Sequence, residues 1–275
     1  MIIDSHQHFW NYNSQRHSWI SEDMNAIRRD FLPEDLYSLY KANDISGCIA
    51  VQADQTLDEN QFLLQLCQEH KFIKGVIGWV DFQQDGVESI LEEHDYQPLI
   101  KGYRHVVQNE SDNTFLLRPR FVEGISLLKN RNLVYEILVY WHQLPAVLEF
   151  AKLFPNQQFV VDHIAKPDIK NKYRSAWELL IKELAKFSNV SCKISGMVTE
   201  ADFNNWDLDQ FLPYMDVVLE AFGSDRIMYG SDWPVCLVAA NYSQVLHIAK
   251  SFANQLSTDE QANFFYKNAL RTYNL

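Results

Sequence analysis

Short runs of apolar, β-branched residues recur along this chain, and each is followed by a longer stretch with apolar residues at helical spacing. A run of this kind predicts a buried strand, and the alternation of strand and helix is typical of repeated βα units. Eight runs fit the description: 2–9, 47–53, 74–81, 99–107, 133–140, 159–164, 190–195 and 226–231. The pattern therefore predicts an α/β fold with eight strands.

The helical stretches between these runs include 60–71, 87–94, 121–129, 144–153 and 176–187. Near the C-terminus, Ser257 and Glu260 have the spacing of a capping box, which predicts a helix from there to about Tyr273. Eight strands with intervening helices close most simply into a (β/α)8 TIM barrel, although an open doubly wound sheet gives a similar pattern.

Composition narrows the class of protein. The chain has 275 residues, of which 47% are hydrophobic, and it contains no Pro-, Gly- or Ser-rich linker at which it could be divided. We therefore expect one domain over residues 1–275, a size that a TIM barrel routinely takes. The net charge of −12 argues against nucleic acid or an anionic membrane surface as partner, because both require a basic patch.

Cysteine usage and hydropathy bear on the compartment. The four cysteines are scattered without a CxxC pair, so neither a zinc knuckle nor a disulfide framework is indicated. No stretch has the form of a signal peptide or approaches the roughly 18 apolar residues of a spanning helix. We expect a cytoplasmic protein, and the sequence leaves its oligomeric state open.

Unusual polar and aromatic residues cluster at the predicted strand ends. In a barrel, the loops past the C-terminal ends of the strands form the active-site face, so these side chains are candidates for chemistry. In chain order they are His6, His8 and Trp10; Gln52 and Asp54; Asp81; Arg104 and His105; Tyr140, Trp141 and His142; Asp162, His163 and Lys166; Lys193; and Ser231, Asp232 and Trp233. Five of the nine histidines belong to this set, which favours a functional site at the strand ends over a chance distribution of histidines.

The pair His6 and His8 is the most suggestive of these features. Strand side chains alternate between faces, so two imidazoles two residues apart leave the same side. They can hold one divalent cation or direct two donors at one substrate oxygen.

Structural roles compete with functional ones for several of the other candidates. Gln52, Asp54 and Asp81 are either substrate contacts or helix caps. The tryptophans Trp10, Trp141 and Trp233 are either core residues or flat surfaces for a sugar ring. Lys166, which precedes Pro167, either contacts substrate or flanks a turn, and Lys193 has the charge to neutralise Asp162.

Five motifs resemble the amidohydrolase-2 branch of the amidohydrolase superfamily, and within it the sugar lactonases of the L-fuconolactonase and L-rhamnonolactonase type. They are DSHQHFW from Asp4, KGYRH from Lys101, VDHIAKP from Val161, CKISG from Cys192 and YGSDWPV from Tyr229. The resemblance spans essentially the whole chain. It implies a distorted TIM barrel and hydrolysis of a small cyclic ester.

The resemblance also implies roles by position. His6 and His8 match the histidine pair of the first strand, His163 the histidine of the sixth, and Asp232 the aspartate of the eighth. Members with two metals usually bridge them through a carboxylated lysine or a glutamate at the fourth strand end, where this chain has Arg104 and His105. Because a guanidinium repels a second cation, we expect one metal, zinc above others, on His6, His8 and Asp232 with His163 as a further candidate ligand, or no metal at all.

The predicted reaction opens a sugar lactone with an activated water. Asp232 is the predicted general base, and His6 and His8, or a metal that they hold, polarise the carbonyl group. Arg104 and His163 are predicted to stabilise the oxyanion, while His105 or the protonated Asp232 donates a proton to the leaving alkoxide. The predicted substrate contacts are Trp10, Gln52, Asp54, Asp81, His142, Lys166 and Trp233.

Other functions remain open at this point. The same barrel supports hydrolysis of a pyrone dicarboxylate, or a metal-dependent decarboxylation. A dianionic substrate would favour more arginines near the mouth than Arg104 alone. A sugar-binding barrel without catalysis is a further class, and it would have no need of an aspartate beside several imidazoles.

Overall fold

A computed structural model describes residues 1–275. Its eight strands are parallel, and each pairs with the next in the chain. They are β1 (Ile3–Gln7), β2 (Gly47–Val51), β3 (Ile73–Gly78), β4 (Ile100–His105), β5 (Val134–Ile137), β6 (Phe159–Val161), β7 (Val190–Ile194) and β8 (Ile227–Tyr229). Each predicted run contains most or all of one of these strands, so the prediction of eight strands is confirmed.

The first and last strands meet, which closes the sheet. Gln7 and Trp233 form a parallel bridge, the amide of Asp232 donates to the carbonyl of His6 at 2.8 Å, and the amide of His8 donates to the carbonyl of Trp233 at 2.7 Å. Sequential strand order and this closure are those of a (β/α)8 barrel, because a doubly wound sheet reverses its strand order part-way and remains open.

The helices follow the strands as a βα barrel requires. They are α1 (Pro33–Ala42), α2 (Leu57–Glu69), α3 (Val87–His94), α4 (Pro119–Ser126), α5 (Leu144–Leu153), α6 (Ser175–Leu184), α7 (Leu212–Phe222), α8 (Tyr242–Ala253), α9 (Thr258–Ala262) and α10 (Asn268–Thr272). Proline suits the first turn of a helix because it lacks an N–H, and α4 accordingly begins at Pro119, two residues before the predicted start.

The C-terminal helix starts at the predicted capping box but is not continuous. Ser257 and Glu260 cap α9 reciprocally, and a π-helical turn over Asn263–Lys267 separates α9 from α10. After that turn, the side-chain amide of Asn268 donates to the carbonyls of Ser224 and Ile227, each at 2.7 Å. The C-terminal segment is thereby fixed to β8.

Two apolar clusters account for the core. The larger lies between the strands and the surrounding helices. The smaller fills the barrel interior with side chains from six strands and is completed by Ala269 and Tyr273 of the C-terminal segment. The lower barrel is therefore packed mainly with apolar side chains. No helix has both the length and the apolar character that crossing a membrane requires.

Candidate active site

Three imidazoles and one carboxylate meet at the C-terminal ends of the strands. The Nε2 atoms of His6 and His8 lie 3.2 Å apart. Asp232 Oδ1 lies 3.5 Å from His8 Nε2 and 3.8 Å from the Nε2 atoms of both His6 and His163. All four residues are at least 95% buried. The structure thus brings residues from the two ends of the chain around one point.

Left-handed backbone positions direct two of these side chains. His163, Ile164, Ala165 and Lys166 have φ angles between 45° and 58°, and Asp232 has φ 56°. This region is costly for residues other than glycine, and such strain persists where the surrounding structure enforces it, commonly at functional sites.

Two glycines make room for the imidazoles. A Cβ atom on Gly230 would lie 2.7 Å from the Cβ of His6, and one on Gly196 would lie 2.5 Å from Nδ1 of His163. Gly196 also has φ 63°, a conformation that glycine adopts without steric cost. The close approach of these strands to the two histidines therefore depends on the missing side chains.

Hydrogen bonds fix the orientation of the rings. His8 Nδ1 lies 2.8 Å from the carbonyl of Val51, so Nδ1 carries the hydrogen and Nε2 presents its lone pair to the site. His163 Nδ1 lies 2.9 Å from Ser195 Oγ. His6 Nδ1 has two neighbours of opposite character, the ammonium of Lys193 at 3.1 Å and Asp162 Oδ1 at 3.3 Å.

A buried network of charges lies behind His6. Asp162 contacts Lys193 at 3.2 Å and Arg104 at 3.1 Å, and Lys193 contacts Glu136 at 2.6 Å. The hydroxyl of Tyr273, from the C-terminal segment, donates to Glu136 at 2.7 Å. Lys193 therefore neutralises Asp162, as the sequence suggested, whereas Glu136 and Tyr273 were not predicted. The signal for Glu136 was a carboxylate within an otherwise apolar strand.

The electrostatics of the site follow from burial and these neighbours. Burial lowers the pKa of each of the three histidines, so their neutral forms are favoured. Burial alone would raise the pKa of Asp232, but His163 and His8 outweigh it and the pKa is lowered. Likewise, Lys193 and His6 overcome burial and hold the pKa of Asp162 well below its usual range. Asp232 and Asp162 are therefore carboxylates at neutral pH.

The donor set fits one metal ion. His6, His8 and Asp232 each offer one ligand atom, and these atoms lie 3.2 to 3.8 Å apart. A tetrahedral zinc with bonds of about 2.0–2.1 Å separates its ligands by roughly 3.4 Å. A second set, His6, Asp162 and His163, is opposed by the cations of Arg104 and Lys193 on Asp162.

Arg104 and Gln52 belong to the same region. Arg104 Nη2 donates to the backbone carbonyl of Gln52 at 2.6 Å, and the side-chain amide of Gln52 lies 3.3 Å from the carbonyl of Arg104. Arg104 Nη1 lies 3.3 Å from His6 Nε2. Gln52 therefore supports the guanidinium, a role different from the predicted direct contact with substrate.

The structure does not bring His105 to this group. Because Arg104 points into the barrel, the next residue of β4 points outward to the helices. His105 stacks on Phe115 with ring centroids 4.6 Å apart, accepts a hydrogen bond from Trp79 Nε1 at 3.2 Å, and donates to Glu110 at 2.8 Å. Of the two predicted proton donors for the leaving group, His105 and the protonated Asp232, only Asp232 belongs to the central group.

Trp10 and Trp233 lie in the core. Trp10 is 1% exposed, donates from Nε1 to the carbonyl of Arg29 at 2.8 Å, and packs edge-on against Phe31. Trp233 is 2% exposed and meets Phe9 and Phe31 edge-on. Their rings are covered, so the structure does not offer them to a ligand. Of the two roles that the sequence left open, Trp10 and Trp233 have that of core residues.

Asp54 and Asp81 serve local structure. Asp54 pairs with Arg16 at 2.6 Å, and Asp81 accepts from the amide of Gln83 at 2.9 Å in a turn. Neither contacts the central group. A substrate role for them has no support in the geometry.

Lys166 and His142 lie around Tyr140. Lys166 pairs with Glu200 at 3.2 Å and has its ammonium 5.5 Å from the ring centroid of Tyr140, on which the exposed His142 stacks. The charge of Lys166 contributes to lowering the pKa of both His163 and Asp232. Among the predicted substrate contacts, Lys166 is the one electrostatically coupled to the central group.

A family model described as Amidohydrolase matches residues 3–275. This chain belongs to the amidohydrolase family. The membership confirms the resemblance seen in the motifs and agrees with the barrel described above. In this amidohydrolase the end of β4 carries Arg104, whose guanidinium lies 3.1 Å from Asp162 Oδ2.

Two relatives and one solved structure are similar to this amidohydrolase over nearly its full length. The L-fucono-1,5-lactonase of Burkholderia multivorans is 37% identical, with 99% of this chain and 96% of the relative aligned. That of Burkholderia ambifaria is 33% identical, with 99% and 95% aligned. A crystal structure of an amidohydrolase from Burkholderia multivorans with bound zinc superposes with a TM-score of 0.97 at 36% identity, covering 100% of this chain and 99% of that one.

Proposed function

We propose that this amidohydrolase hydrolyses a sugar lactone of the L-fucono-1,5-lactone type to the open aldonic acid. Support comes from two relatives named for that activity, which are 37% and 33% identical over 99% of the chain. The observation that carries the proposal is the carboxyl group of Asp232 at 3.5 to 3.8 Å from three imidazole nitrogens in a buried site. That arrangement has a base for water and donors for a developing oxyanion.

Asp232 is the general base in this mechanism. His163 and His8 keep its pKa low, so the carboxylate is available to take a proton from water. The proton then resides on Asp232, which returns it to the ring oxygen as the carbon–oxygen bond breaks. Assigning both transfers to Asp232 removes the need for His105, which faces the helices.

Arg104 binds the carbonyl oxygen as it becomes negative. Arg104 is held by the carbonyl of Gln52 and by Asp162, and its Nη1 lies beside His6 Nε2. Preorganised donors of this kind are worth about 3 to 4 kcal/mol each when they act on an oxyanion. His163, whose Nε2 lies 3.8 Å from Asp232 Oδ1, is the second candidate donor.

A zinc ion fits the same residues. His6 Nε2, His8 Nε2 and Asp232 Oδ1 would hold it, and the similar structure from Burkholderia multivorans contains zinc. When bound, the ion supplies Lewis-acid polarisation of the lactone carbonyl. The carbonyl of Val51 orients His8 in either case.

The proposal extends to the setting of the enzyme. Residues 1–275 form one domain, and its partner is a small lactone. The lactone binds beside the ion pair of Lys166 and Glu200. Cys48, Cys67, Cys192 and Cys236 are free and buried, which supports a reduced, cytoplasmic compartment.

The charges of the site weigh against a dianionic substrate. Arg104 is paired with Asp162, Lys166 with Glu200, and Lys193 with Glu136. No unpaired cation is available to bind two carboxylates. A pyrone-dicarboxylate hydrolase and an aromatic-acid decarboxylase are therefore less well supported than a lactonase for neutral sugars.

The deciding experiment compares substrates side by side. L-Fucono-1,5-lactone, L-rhamnonolactone, D-sugar lactones, a pyrone dicarboxylate and an aromatic acid are assayed at equal concentration, with Asp232→Asn protein measuring spontaneous opening. We expect turnover of the L-sugar lactones above that background. Turnover of the dicarboxylate or the aromatic acid alone would reject the proposal, and so would binding of a lactone without hydrolysis.

A further inference from the structure

Lys193 is a fully buried lysine whose position the reaction above does not explain. Its Nζ lies 3.1 Å from His6 Nδ1 in a hydrogen bond and forms ion pairs with Glu136 at 2.6 Å and Asp162 at 3.2 Å. An ammonium has hydrogens to donate and no lone pair. In a hydrogen bond with Lys193, His6 Nδ1 must therefore be the acceptor.

This assignment determines the rest of the chain of hydrogen bonds. With Nδ1 as acceptor, neutral His6 carries its hydrogen on Nε2, which lies 3.2 Å from His8 Nε2. His8 Nε2 is an acceptor because its Nδ1 donates to the carbonyl of Val51. Donation runs in one direction from Lys193 through His6 and His8 to Val51. The guanidinium of Arg104, a donor that lies 3.3 Å from His6 Nε2, makes its shorter hydrogen bonds with Asp162 at 3.1 Å and with the carbonyl of Gln52 at 2.6 Å.

The neighbouring Asp162 offers His6 a second arrangement. Asp162 Oδ1 lies 3.3 Å from His6 Nδ1 and makes no hydrogen bond of its own. If the hydrogen of His6 were on Nδ1, this oxygen would accept it, and Nε2 would present a lone pair. That is the form a metal ligand requires, and a carboxylate behind the ring is the usual partner of a metal-binding histidine.

We propose that Lys193 is a positioning residue that holds His6 in the Nε2–H tautomer and thereby opposes zinc binding. In that tautomer the metal-free site has an N–H donor for the lactone carbonyl at His6. Zinc binding requires the hydrogen of His6 to move from Nε2 to Nδ1. His6 Nδ1 then donates to Asp162 and no longer accepts from Lys193, and the net charge of His6 does not change. The inference rests on the zinc set of the proposed function but not on lactone hydrolysis.

Other contacts keep Lys193 in place. Glu136 receives a hydrogen bond from Tyr273 at 2.7 Å, so the carboxylate that pairs with Lys193 is itself anchored by the C-terminal segment. Arg104 occupies the other oxygen of Asp162. Since Lys193 is 0% exposed, its ammonium has no route to solvent and remains against His6.

The first test is made on the unaltered protein. Long-range ¹H–¹⁵N spectra of histidine-labelled protein report which ring nitrogen carries hydrogen, and a His6→Gln sample identifies the His6 signals. We expect Nε2–H at His6 after removal of metal and Nδ1–H after one equivalent of zinc. Nδ1–H in the metal-free protein would overturn the inference.

The second test measures zinc affinity by calorimetry with a competing chelator. Lys193→Met alone leaves the buried carboxylate of Glu136 without a cation, so it is combined with Glu136→Gln. The control is Lys101→Met, at a partly exposed lysine that donates to the carbonyl of Asn274. We expect the double variant to bind zinc about tenfold more tightly or better, the size typical of residues behind a metal ligand, with the control unchanged.

Unchanged or weaker zinc binding by a folded double variant contradicts the inference, and so does the absence of zinc binding by all proteins. Should the double variant fail to fold, the spectra of the unaltered protein decide. Neither test uses a lactone, so a failure here is distinct from a failure to find lactonase activity.

Discussion

Asp4 accepts a hydrogen bond from the backbone amide of Ser231 at 2.8 Å, although 227 residues separate them. The same carboxylate accepts from the amide of His6 at 3.3 Å. One buried side chain therefore joins the segment that carries the two histidines to the segment that carries Asp232. Since the one backbone bridge between the ends of the sheet pairs Gln7 with Trp233, which lies beyond β8, side chains of the first strand supply much of the closure.

Two outer helices complete this junction. The hydroxyl groups of Tyr40 from α1 and Tyr242 from α8 donate to the other oxygen of Asp4, at 2.9 and 3.3 Å. Burial still raises the pKa of Asp4 to about 6, because four hydrogen bonds offset only part of the desolvation. The relative position of base and imidazoles is thus fixed by helices as well as strands.

Asp232→Asn should lower kcat by roughly 10²- to 10⁴-fold, the usual contribution of a general base. An amide has the shape of the carboxylate but takes no proton, so the circular dichroism spectrum and melting temperature should remain close to those of the unaltered protein. Asp216→Asn, on the exposed face of α7, is the control and should keep full activity. Near-normal turnover by Asp232→Asn would show that another group activates water.

Gly196→Ala and Gly86→Ala form a matched pair. Both glycines are in the left-handed αL conformation, with φ 63° and 81°, but only at Gly196 would a Cβ meet a side chain, 2.5 Å from His163 Nδ1. Both variants should lose about 1 to 2 kcal/mol of stability in urea unfolding, and only Gly196→Ala should also lose activity. Equal kcat values in the two would mean that the position of His163 is unimportant.

The barrel and much of the site were predictable because both depend on local regularities. Strand runs and helical spacing indicate eight βα units, and the topology then brings the strand ends together, which places His6, His8, His163 and Asp232 near one another. Because side chains alternate along β4, Arg104 and His105 lie on opposite faces of the strand. Selecting residues only because they lie at strand ends does not distinguish the two.

Features that depend on tertiary packing were not predictable. Whether Trp10 and Trp233 line a mouth or fill a core is decided by Phe31, which lies against both. Glu136 and Tyr273 meet inside the barrel although 137 positions separate them, and no local pattern links a strand residue to the C-terminal helix. Because a buried charge is costly unless it is paired, a partner for Glu136 is expected. Which residue supplies it is known only from the fold.

The metal content should not exceed one zinc per chain. His6, His8 and Asp232 provide one set of ligands, and the cations on Asp162 oppose a second ion. Elemental analysis after zinc loading measures the ratio. His8→Ala should bind zinc at least tenfold more weakly, whereas His247→Ala, an exposed residue of α8, should bind it normally.

Assay of the chelated protein then separates two mechanisms. Full activity without metal assigns catalysis to Asp232, Arg104 and the imidazoles alone, and activity that returns only with zinc assigns carbonyl polarisation to the ion. A ratio of two zinc ions per chain would contradict the role given to Arg104 and Lys193.

Stability should depend on pH through Glu59, which is buried behind the loop after β2. Its carboxyl accepts from the amide of Ala53 at 3.0 Å, and burial raises its pKa from 4.5 to about 7. The folded state therefore binds the proton more tightly than the unfolded state, so this group's contribution to stability falls as pH rises from 4.5 to about 7. The loss amounts to about 3 kcal/mol at 1.36 kcal/mol per pKa unit.

Glu59→Gln keeps an oxygen for the amide of Ala53 and has no charge to desolvate. Compared with the unaltered protein by urea unfolding, it should be equally stable near pH 4.5 and more stable by up to about 3 kcal/mol near pH 8. Taking the difference at each pH removes the contributions of Asp4 and Glu136, which titrate in both proteins. Glu69→Gln, on the exposed end of α2, is the control. A difference that stays constant with pH would mean that Glu59 is not the group responsible.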